Sequence, residues 1–159
     1  MIVTLGLGSN VGDRHRYLTS AIAELRSIAT ITVVSRIYET APIGGPQQGA
    51  FLNAAASIDW PSADLHALLC YTRAIEDAEG RARNVPWGPR TLDIDLLFAE
   101  GVTVQSETLV LPHPHLFERA FALVPVLDIA EGQLADLARR ALSHLGDSHF
   151  VNLTNYTFT

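Results

Sequence analysis

The chain contains no lysine, and all eleven of its basic residues are arginine. This absence excludes a P-loop lysine, the lysine of protein kinases and any mechanism through a Schiff base. The chain has one cysteine, Cys70, so it can form no disulfide framework and no cysteine-rich zinc site. The apolar neighbours of Cys70 predict a small buried side chain rather than a nucleophile. Any phosphate must therefore be held by arginine, backbone amides and metal.

The sequence also lacks a long apolar run and an excess of positive charge. No segment approaches the roughly 20 apolar residues of a membrane helix, and no basic segment precedes the first predicted strand. The net charge of -6 argues against broad binding of nucleic acid or of anionic membranes. We expect one domain, 1–159, in a cytoplasmic protein that acts as a monomer on small molecules, with no nucleic acid and no membrane as partner.

Hydrophobic periodicity predicts an alternation of strands and helices. Strands are expected at 2–7, 31–38, 51–58 and 91–98, and a turn at 100–101 is expected to pair 102–104 with the last of them. Asp13 and Ser62 are the predicted N-caps of two helices that run to about 29 and 80. Helices are also expected near 117–127 and 133–145, with 148–159 loosely held. The order βαββαβ predicts an α+β fold with a ferredoxin-like core, an antiparallel sheet and additional C-terminal helices.

The most informative stretch is the fourth predicted strand, which carries two carboxylates two residues apart. Successive side chains of a strand point to opposite faces, so Asp93 and Asp95 share one face and Leu92 and Ile94 share the other. Two neighbouring carboxylates among apolar residues repel each other unless a cation compensates them. Magnesium commonly binds one or two carboxylates together with substrate phosphates. The pair therefore predicts a divalent metal site.

Three arginines lie in the loop that leads to these carboxylates: Arg81, Arg83 and Arg90. Planar guanidinium groups match the geometry of phosphate oxygens. The alternative is a solvated basic loop that balances the acidic end of the preceding helix. The neighbouring aspartate pair favours phosphate binding over this alternative.

A second constellation follows the glycine- and proline-rich loop 40–49. Phe51 and Asn53 share one face of the third predicted strand. An aromatic ring beside an amide suits a flat heteroaromatic ligand, through stacking and hydrogen bonds. A core phenylalanine next to a turn-bonding asparagine is the alternative.

Two other motifs are less specific. The glycines of Gly6-Leu7-Gly8 and Gly12 do not have the spacing of a dinucleotide-binding fingerprint, and we interpret them as a turn from strand to helix. His113-Pro114-His115 permits a transition-metal site, but no third ligand stands at an informative spacing. A phosphate-contacting His113 together with Arg119 fits the other motifs better.

Taken together, these motifs resemble the 6-hydroxymethyl-7,8-dihydropterin pyrophosphokinases of folate biosynthesis. The resemblance spans about residues 1 to 130 in collinear order. Its blocks are Gly8-Ser9-Asn10-x-Gly12-Asp13, Tyr38-x-Thr40-x-Pro42-x-Gly44, Phe51-Leu52-Asn53, Gly80-Arg81-x-Arg83, Trp87-Gly88-Pro89-Arg90-x-Leu92-Asp93-x-Asp95, Leu111-Pro112-His113-Pro114 and Arg119-x-Phe121.

The resemblance implies an enzyme that moves pyrophosphate from ATP to the hydroxymethyl group of the reduced pterin and releases AMP. It implies that Asp93 and Asp95 hold two Mg²⁺ ions. The implied catalytic residues are Arg81, Arg83, Arg90, Asp93 and Asp95, and the implied ATP contacts are Arg81, Arg83, Trp87, Arg90, His113 and Arg119. The implied pterin contacts are Thr40, Ala41, Pro42, Ile43, Phe51, Asn53, Trp87 and Phe121, with the ring between the two phenylalanines and Trp87 closing over the site.

The sequence departs from the usual family pattern at Asn84 and Pro86, where a basic residue is frequent. It also departs at Thr108, where some members have an arginine that points toward ATP. Two rival functions remain open. A two-metal phosphoesterase or nuclease also uses paired aspartates, without a pterin. A ferredoxin-like ligand-sensing domain would bind a small molecule without turnover.

Overall fold

Six strands of the chain form one antiparallel sheet, and two more form a separate hairpin. The structure is a computed structural model that describes residues 1–43, 45–82, 88–146 and 150–158. The strands are β1 (Ile2–Ser9), β2 (Thr30–Val34), β3 (Tyr38–Thr40), β4 (Phe51–Asp59), β5 (Asp93–Ala99), β6 (Val104–Gln105), β7 (Val110–Leu111) and β8 (Asn152–Leu153). The helices are α1 (Arg14–Ile28), α2 (Leu65–Ala78), α3 (Ala120–Leu127) and α4 (Gly132–His144), and a 3₁₀ turn covers Leu116–Glu118.

β1 is an interior strand of the sheet, between β4 and the edge strand β5. The strand order is β5-β1-β4-β3-β8, and β2 also pairs with β4. The predicted α+β fold with a ferredoxin-like core is confirmed, since the fourth, first, third and second predicted strands stand side by side in that order. The register places Gly8 opposite Asn53 on one side and opposite Asp93 on the other. The two constellations found in the sequence therefore flank the same interior strand, β1.

The prediction of one continuous strand over 31–38 is wrong. The segment divides into β2 and β3, and both pair with β4. Between them, the Ser35 hydroxyl oxygen accepts a hydrogen bond from the Ala55 backbone N–H at 2.8 Å, in place of a backbone carbonyl. A side chain that satisfies the partner strand in this way interrupts the regular ladder.

The first helix begins as predicted, and the second does not. The Asp13 carboxylate accepts a hydrogen bond from the Arg16 N–H at 3.1 Å. The second helix is capped by Asp64, which accepts from the Ala67 N–H at 3.0 Å. Ser62, the predicted cap, instead accepts from the Asp64 N–H, just before the helix. Both residue types are good N-caps, so the sequence alone does not decide between them.

The two sides of the sheet bury different residues. The odd-numbered residues Leu5 and Leu7 of β1 pack in the cluster that contains α1 and α2. On the opposite face, Ala55 and Leu97 pack against residues of α3 and α4. The even-numbered positions of β1 on that second face include Gly6, which has no side chain to fill the layer. This face is the one that carries Asp93, Asp95, Phe51 and Asn53.

Several smaller predictions need correction. Cys70 is exposed, because α2 turns Leu65, Leu68, Thr72 and Ile75 toward the core instead. The fourth strand begins at Asp93 rather than at residue 91. Residues 102–104 do not continue the sheet: Ala99 and Val102 form one bridge, and Val104 pairs with Leu111 in the β6–β7 hairpin.

The helices after the hairpin are close to their expected positions, with a 3₁₀ turn before α3. The described part of the C-terminal segment contributes β8, which pairs with β3. The Thr154 N–H and hydroxyl both donate to the Ile37 carbonyl, at 3.0 and 2.8 Å. None of the helices in the described ranges has the length and apolarity needed to cross a membrane.

Candidate active site

A cavity of about 380 Å³ opens on the face of the sheet that carries the two constellations. Gly6 and Gly8 of β1 form part of its lining, between the aromatic and amide residues of β4 and the carboxylates of β5. The structure brings these predicted site residues together at the cavity wall: Thr40, Ala41, Ile43, Phe51, Asn53, Arg90, Asp93, Asp95, Arg119 and Phe121. Phe121 and Arg119 reach the cavity from the beginning of α3.

Other predicted residues lie at the edge of this cavity or beyond it. Arg81 contacts the Asp93 carboxylate from behind the cavity wall. Pro42 lies between two lining residues without lining the cavity itself. His113 lines a second, neighbouring cavity. Arg83 and Trp87 lie outside the described residues, so their roles remain predictions.

Ion pairs surround the carboxylate at the start of β5. Arg81 donates to one oxygen of Asp93, and Arg90 donates to the other. Arg81 also pairs with the buried carboxylate of Glu76 on α2. The predicted phosphate-binding arginines and the predicted metal ligands are therefore in direct contact. The alternative, in which the arginines balance the acidic end of α2, is partly correct for Arg81, because Arg81 pairs with Glu76 as well as with Asp93.

Glu76 is a member of the site that the sequence did not single out. Its residue is only 3% exposed, and its carboxylate accepts a hydrogen bond from the Ile94 N–H at 2.7 Å. Ile94 stands between the two aspartates of β5. Glu76 thus connects the end of α2, the side chain of Arg81 and the backbone of β5. Its helical position looked like part of an ordinary acidic surface, so only the tertiary structure reveals this contact.

The second carboxylate of β5 is electrostatically strained. Burial, followed by repulsion from Asp93 and Glu76, raises the pKa of Asp95 to about 7. The positive charges of Arg81 and Arg90 lower the pKa of Asp95, but by less than burial and repulsion raise it. A carboxylate whose ionised form is so disfavoured binds a cation with a gain in free energy.

This environment predicts a pH-dependent cost to folding. In the metal-free protein, we expect the unfolding free energy of the wild type, relative to Asp95→Asn, to fall as pH rises. Below pH 3.8 the carboxyl group is protonated in both folded and unfolded chains, so it contributes nothing. Between pH 3.8 and about 7 the unfolded chain ionises first, which favours unfolding. Urea titrations of both proteins across this range test the effect, and a difference that does not change with pH would contradict it.

At the other end of the cavity, a hydrogen bond fixes the amide side chain, and a guanidinium group lies near the aromatic ring. The Asn53 amide donates to the Thr40 hydroxyl oxygen at 2.8 Å, and both residues are only 6% exposed. This bond fixes the amide and leaves its carbonyl oxygen on the Gly8 side. The Arg90 guanidinium lies 5.9 Å from the centroid of the Phe51 ring, so the cationic and aromatic parts of the site adjoin.

A second cavity of about 260 Å³ lies on the other side of β5. Leu69, Ile94 and Leu96 give it apolar walls, and Asp95 lines both cavities. Thr108, one of the departures from the family pattern, also lines this cavity. The two cavities therefore meet at a carboxylate.

His113 lines the second cavity as a neutral hydrogen-bond donor. Its Nδ1 accepts from the His115 N–H at 3.2 Å, so the ring proton resides on Nε2. Burial, assisted by Arg119 and His115, lowers the pKa of His113 below its usual value. Among the described residues, no three His, Cys, Asp or Glu side chains are grouped as metal ligands. This ring is suited to donate to an anion.

The two glycines of β1 correct the interpretation of Gly6-Leu7-Gly8 as a turn. Both lie inside β1 and face the cavity, and the turn begins only after Ser9. The available signal was the glycine in the interior of a β-rich run, which frequently marks the close approach of a ligand or of another backbone.

Asn10, at the end of β1, connects the two loops that border the cavity. Its side-chain oxygen accepts from the Arg90 N–H at 2.8 Å. Its amide donates to the Gln48 side-chain oxygen at 2.9 Å and to the Gly49 carbonyl at 3.1 Å. The loop before β4 and the loop before β5 are thus joined through one buried side chain.

Replacing Asn10 with aspartate is expected to lower the unfolding free energy by about 1–3 kcal/mol, because the new carboxylate would face two acceptors. The acceptor for Arg90 is retained, so the change acts on the loop before β4. Urea denaturation measures the loss. Asn152→Asp is the control, since Asn152 is exposed and its amide donates to the Phe150 carbonyl at 3.3 Å. Equal stability of the two variants would contradict the connecting role of Asn10.

Fold and site together define an α+β enzyme in which paired carboxylates and arginines adjoin an aromatic pocket. The chain belongs to the family described as 7,8-dihydro-6-hydroxymethylpterin-pyrophosphokinase, which matches residues 4–131. It is therefore a diphosphotransferase of folate biosynthesis that acts on a pterin.

Two curated relatives carry the name 2-amino-4-hydroxy-6-hydroxymethyldihydropteridine pyrophosphokinase. The one from Bacillus subtilis is 45% identical over 132 residues, which are 82% of this chain and 78% of the relative. The one from Methylorubrum extorquens is 45% identical over 148 residues, which are 91% and 93% of the two chains. The sequence resemblance inferred from the motifs is confirmed.

A solved structure shares the fold. The crystal structure of Plasmodium falciparum HPPK-DHPS with pterin and p-hydroxybenzoate matches 96% of this chain with a TM-score of 0.67 and 14% identity. This chain spans 45% of the length of that protein. At this level of identity, the match supports the fold of the chain alone.

Proposed function

We propose that the described cavity is the place where this chain transfers pyrophosphate from ATP to 6-hydroxymethyl-7,8-dihydropterin, with two Mg²⁺ ions at Asp93 and Asp95. The observation that carries the proposal is the position of Asp95, which lines both cavities. One cavity has the aromatic and amide residues suited to a pterin, and the other has apolar walls suited to a nucleoside. A group transferred between the two ligands must pass this carboxylate.

The pterin is proposed to lie between Phe51 and Phe121, both of which line the first cavity. Stacking against aromatic faces and pairing with a fixed amide would orient the ring. The Asn53 carbonyl oxygen would accept an N–H of the pterin, because the hydrogen bond to Thr40 holds the amide with that oxygen on the Gly8 side. The backbone of Ala41, Pro42 and Ile43 would read the remaining polar edge.

The donor set at β5 fits magnesium. Two half-buried carboxylates on one face are what a magnesium ion requires when substrate phosphates supply its other ligands. The ions would neutralise negative charge on the phosphates during transfer. The raised pKa of Asp95 supports the proposal, because a cation would relieve the repulsion that contributes to it.

The arginines are proposed to exchange partners during the cycle. Arg81 and Arg90 now neutralise Asp93. Asp93 would hold the metal ion in place of these partners, and the guanidinium groups of Arg81 and Arg90 would then be available to phosphate oxygens. Arg119 at the cavity wall and His113, through Nε2–H, would add further donors. Arg83 would join them, and Trp87 would cover the bound pterin.

The nucleoside of ATP is proposed to occupy the second cavity. Leu69, Ile94 and Leu96 would contact its base, and Thr108 would donate to its polar atoms. In this position, the triphosphate would extend past His113 to the carboxylates. Positioning of the two substrates and neutralisation of phosphate charge supply most of the catalysis in such transfers.

The test is to incubate the protein with ATP, Mg²⁺ and 6-hydroxymethyl-7,8-dihydropterin and to follow AMP. We expect AMP to form only when the pterin is present. A folded protein that forms no pterin-dependent AMP would contradict the proposal. Hydrolysis of phosphate esters without the pterin would indicate a two-metal phosphoesterase, and pterin binding without turnover would indicate a ligand-sensing domain. We further propose that the enzyme works as a monomer in the cytoplasm.

A further inference from the structure

Strand β1 has no side chain at the position between the two halves of the site. Gly8 stands directly opposite Asn53 of β4 and directly opposite Asp93 of β5, and directly paired residues of antiparallel strands point to the same face. Glycine in a strand interior costs stability, and the chain retains one at this point. The loss of stability suggests that the space above Gly8 has to stay free of a side chain.

The space above Gly8 is bounded by residues of both substrate regions. A Cβ at this position would lie 3.4 Å from the Asn53 side-chain oxygen, 3.8 Å from a ring carbon of Phe51 and 3.9 Å from the Asp93 Cβ. All three are ordinary contact distances, so an alanine fits without displacing the backbone. Its methyl group would nevertheless occupy the gap between the ring-binding residues and the carboxylate.

Gly6, the other glycine of the strand, is in a different situation. A Cβ there would meet Leu97 at 3.1 Å, so the room above Gly6 is already taken by a packed side chain. The open gap is therefore specific to Gly8 and does not extend along the whole strand. This open gap lies between the side chains of Asn53 and Asp93.

We propose that Gly8 determines specificity for the substituent at C6 of the pterin, by leaving open the passage through which that substituent reaches the carboxylates. The inference rests on the proposed function. Asn53 and Asp93 are separated by two strand spacings, roughly 10 Å, so a ring held at one must extend a short arm toward the other. A hydroxymethyl group directed across the sheet passes over Gly8, where any larger residue would stand in its way.

The proposal is tested by titrating wild type and Gly8→Ala with two ligands, 6-hydroxymethylpterin and pterin without a C6 substituent. We expect Gly8→Ala to weaken the first ligand by about 10–200-fold, the usual effect of one misplaced methyl group. The second ligand should bind both proteins within about twofold, since Asn53 and Phe51 stay at ordinary contact distances from the new methyl group and no substituent has to pass it. The control is Gly146→Ala, where an added Cβ meets no atom of the described residues within 4 Å.

The outcomes separate this inference from the proposed function. Equal loss of both ligands, or loss of neither, would overturn the role of Gly8, whereas pterin-dependent AMP from the wild type would leave the proposed function standing. The thermal midpoint of Gly8→Ala should not fall, because alanine loses less entropy than glycine in a strand.

If Gly8→Ala does not fold, the proposal is tested by ligand binding to the wild type alone. Pterins with hydrogen, hydroxymethyl or a branched hydroxyalkyl group at C6 are titrated in turn. The linear group should bind best, and the branched group should bind at least about tenfold more weakly than the linear one. Indifference to branching would overturn the proposal.

Discussion

Replacing Asp95 with asparagine is expected to lower kcat by about a thousandfold, equivalent to about 4 kcal/mol of transition-state stabilisation. The asparagine would keep the size of the side chain but lose the charge that a metal ion requires at the junction of the two cavities. Since the pKa of Asp95 is raised to about 7, the substitution removes a disfavoured charge. The metal-free variant should therefore be at least as stable as the wild type near neutral pH.

This combination of lost activity and retained stability distinguishes a metal ligand from a structural carboxylate. Steady-state kinetics and urea denaturation of the same preparation measure both quantities. Asp136→Asn is the matched control, because Asp136 is exposed on α4 and forms a surface ion pair with Arg139 at 3.4 Å. A near-normal kcat for Asp95→Asn would remove the metal role from this residue.

Replacing Arg81 with methionine is expected to damage both activity and stability. Arg81 pairs with Glu76 and with Asp93, and the Glu76 side chain is only 4% exposed. Removing one partner of a buried ion pair leaves an uncompensated charge and costs about 3–5 kcal/mol of unfolding free energy. Turnover should fall as well, because the variant loses a guanidinium that we propose binds phosphate.

A double variant separates the two effects. Glu76→Gln added to Arg81→Met removes the unpaired charge and keeps an acceptor for the Ile94 N–H, so most of the lost stability should return. Turnover should remain low, because phosphate has no replacement partner. Unfolding free energies and kcat of the single and double variants form the measurement. Recovery of activity together with stability would show that Arg81 serves only the fold.

The alternation of side chains along a strand was sufficient to predict half of the site. It placed Asp93 with Asp95 and Phe51 with Asn53, and the structure shows both pairs on one face of the sheet. Alternation is a local property, so it can be read from the sequence. It cannot state which strands are neighbours. That the two pairs flank Gly8 follows only from the register of the sheet.

The features that the sequence did not predict depend on tertiary contacts. Glu76 lies in an acidic stretch of α2 and becomes part of the site only because the Ile94 N–H and Arg81 meet it. The break between β2 and β3 depends on where the Ser35 hydroxyl meets Ala55. In each case a side chain of ordinary type is selected by a partner distant in sequence, and single-sequence patterns carry no information about that partner.

The most direct test of the account follows the phosphorus atoms of ATP through the reaction. ATP labelled at the α and γ positions is incubated with Mg²⁺, 6-hydroxymethyl-7,8-dihydropterin and either the wild type or Asp95→Asn. The account predicts that the wild type retains the α label in AMP and places the γ label on the pterin in equal amount, while Asp95→Asn does so only at a trace rate. Release of the γ label as free phosphate, or equal transfer by both proteins, would contradict it.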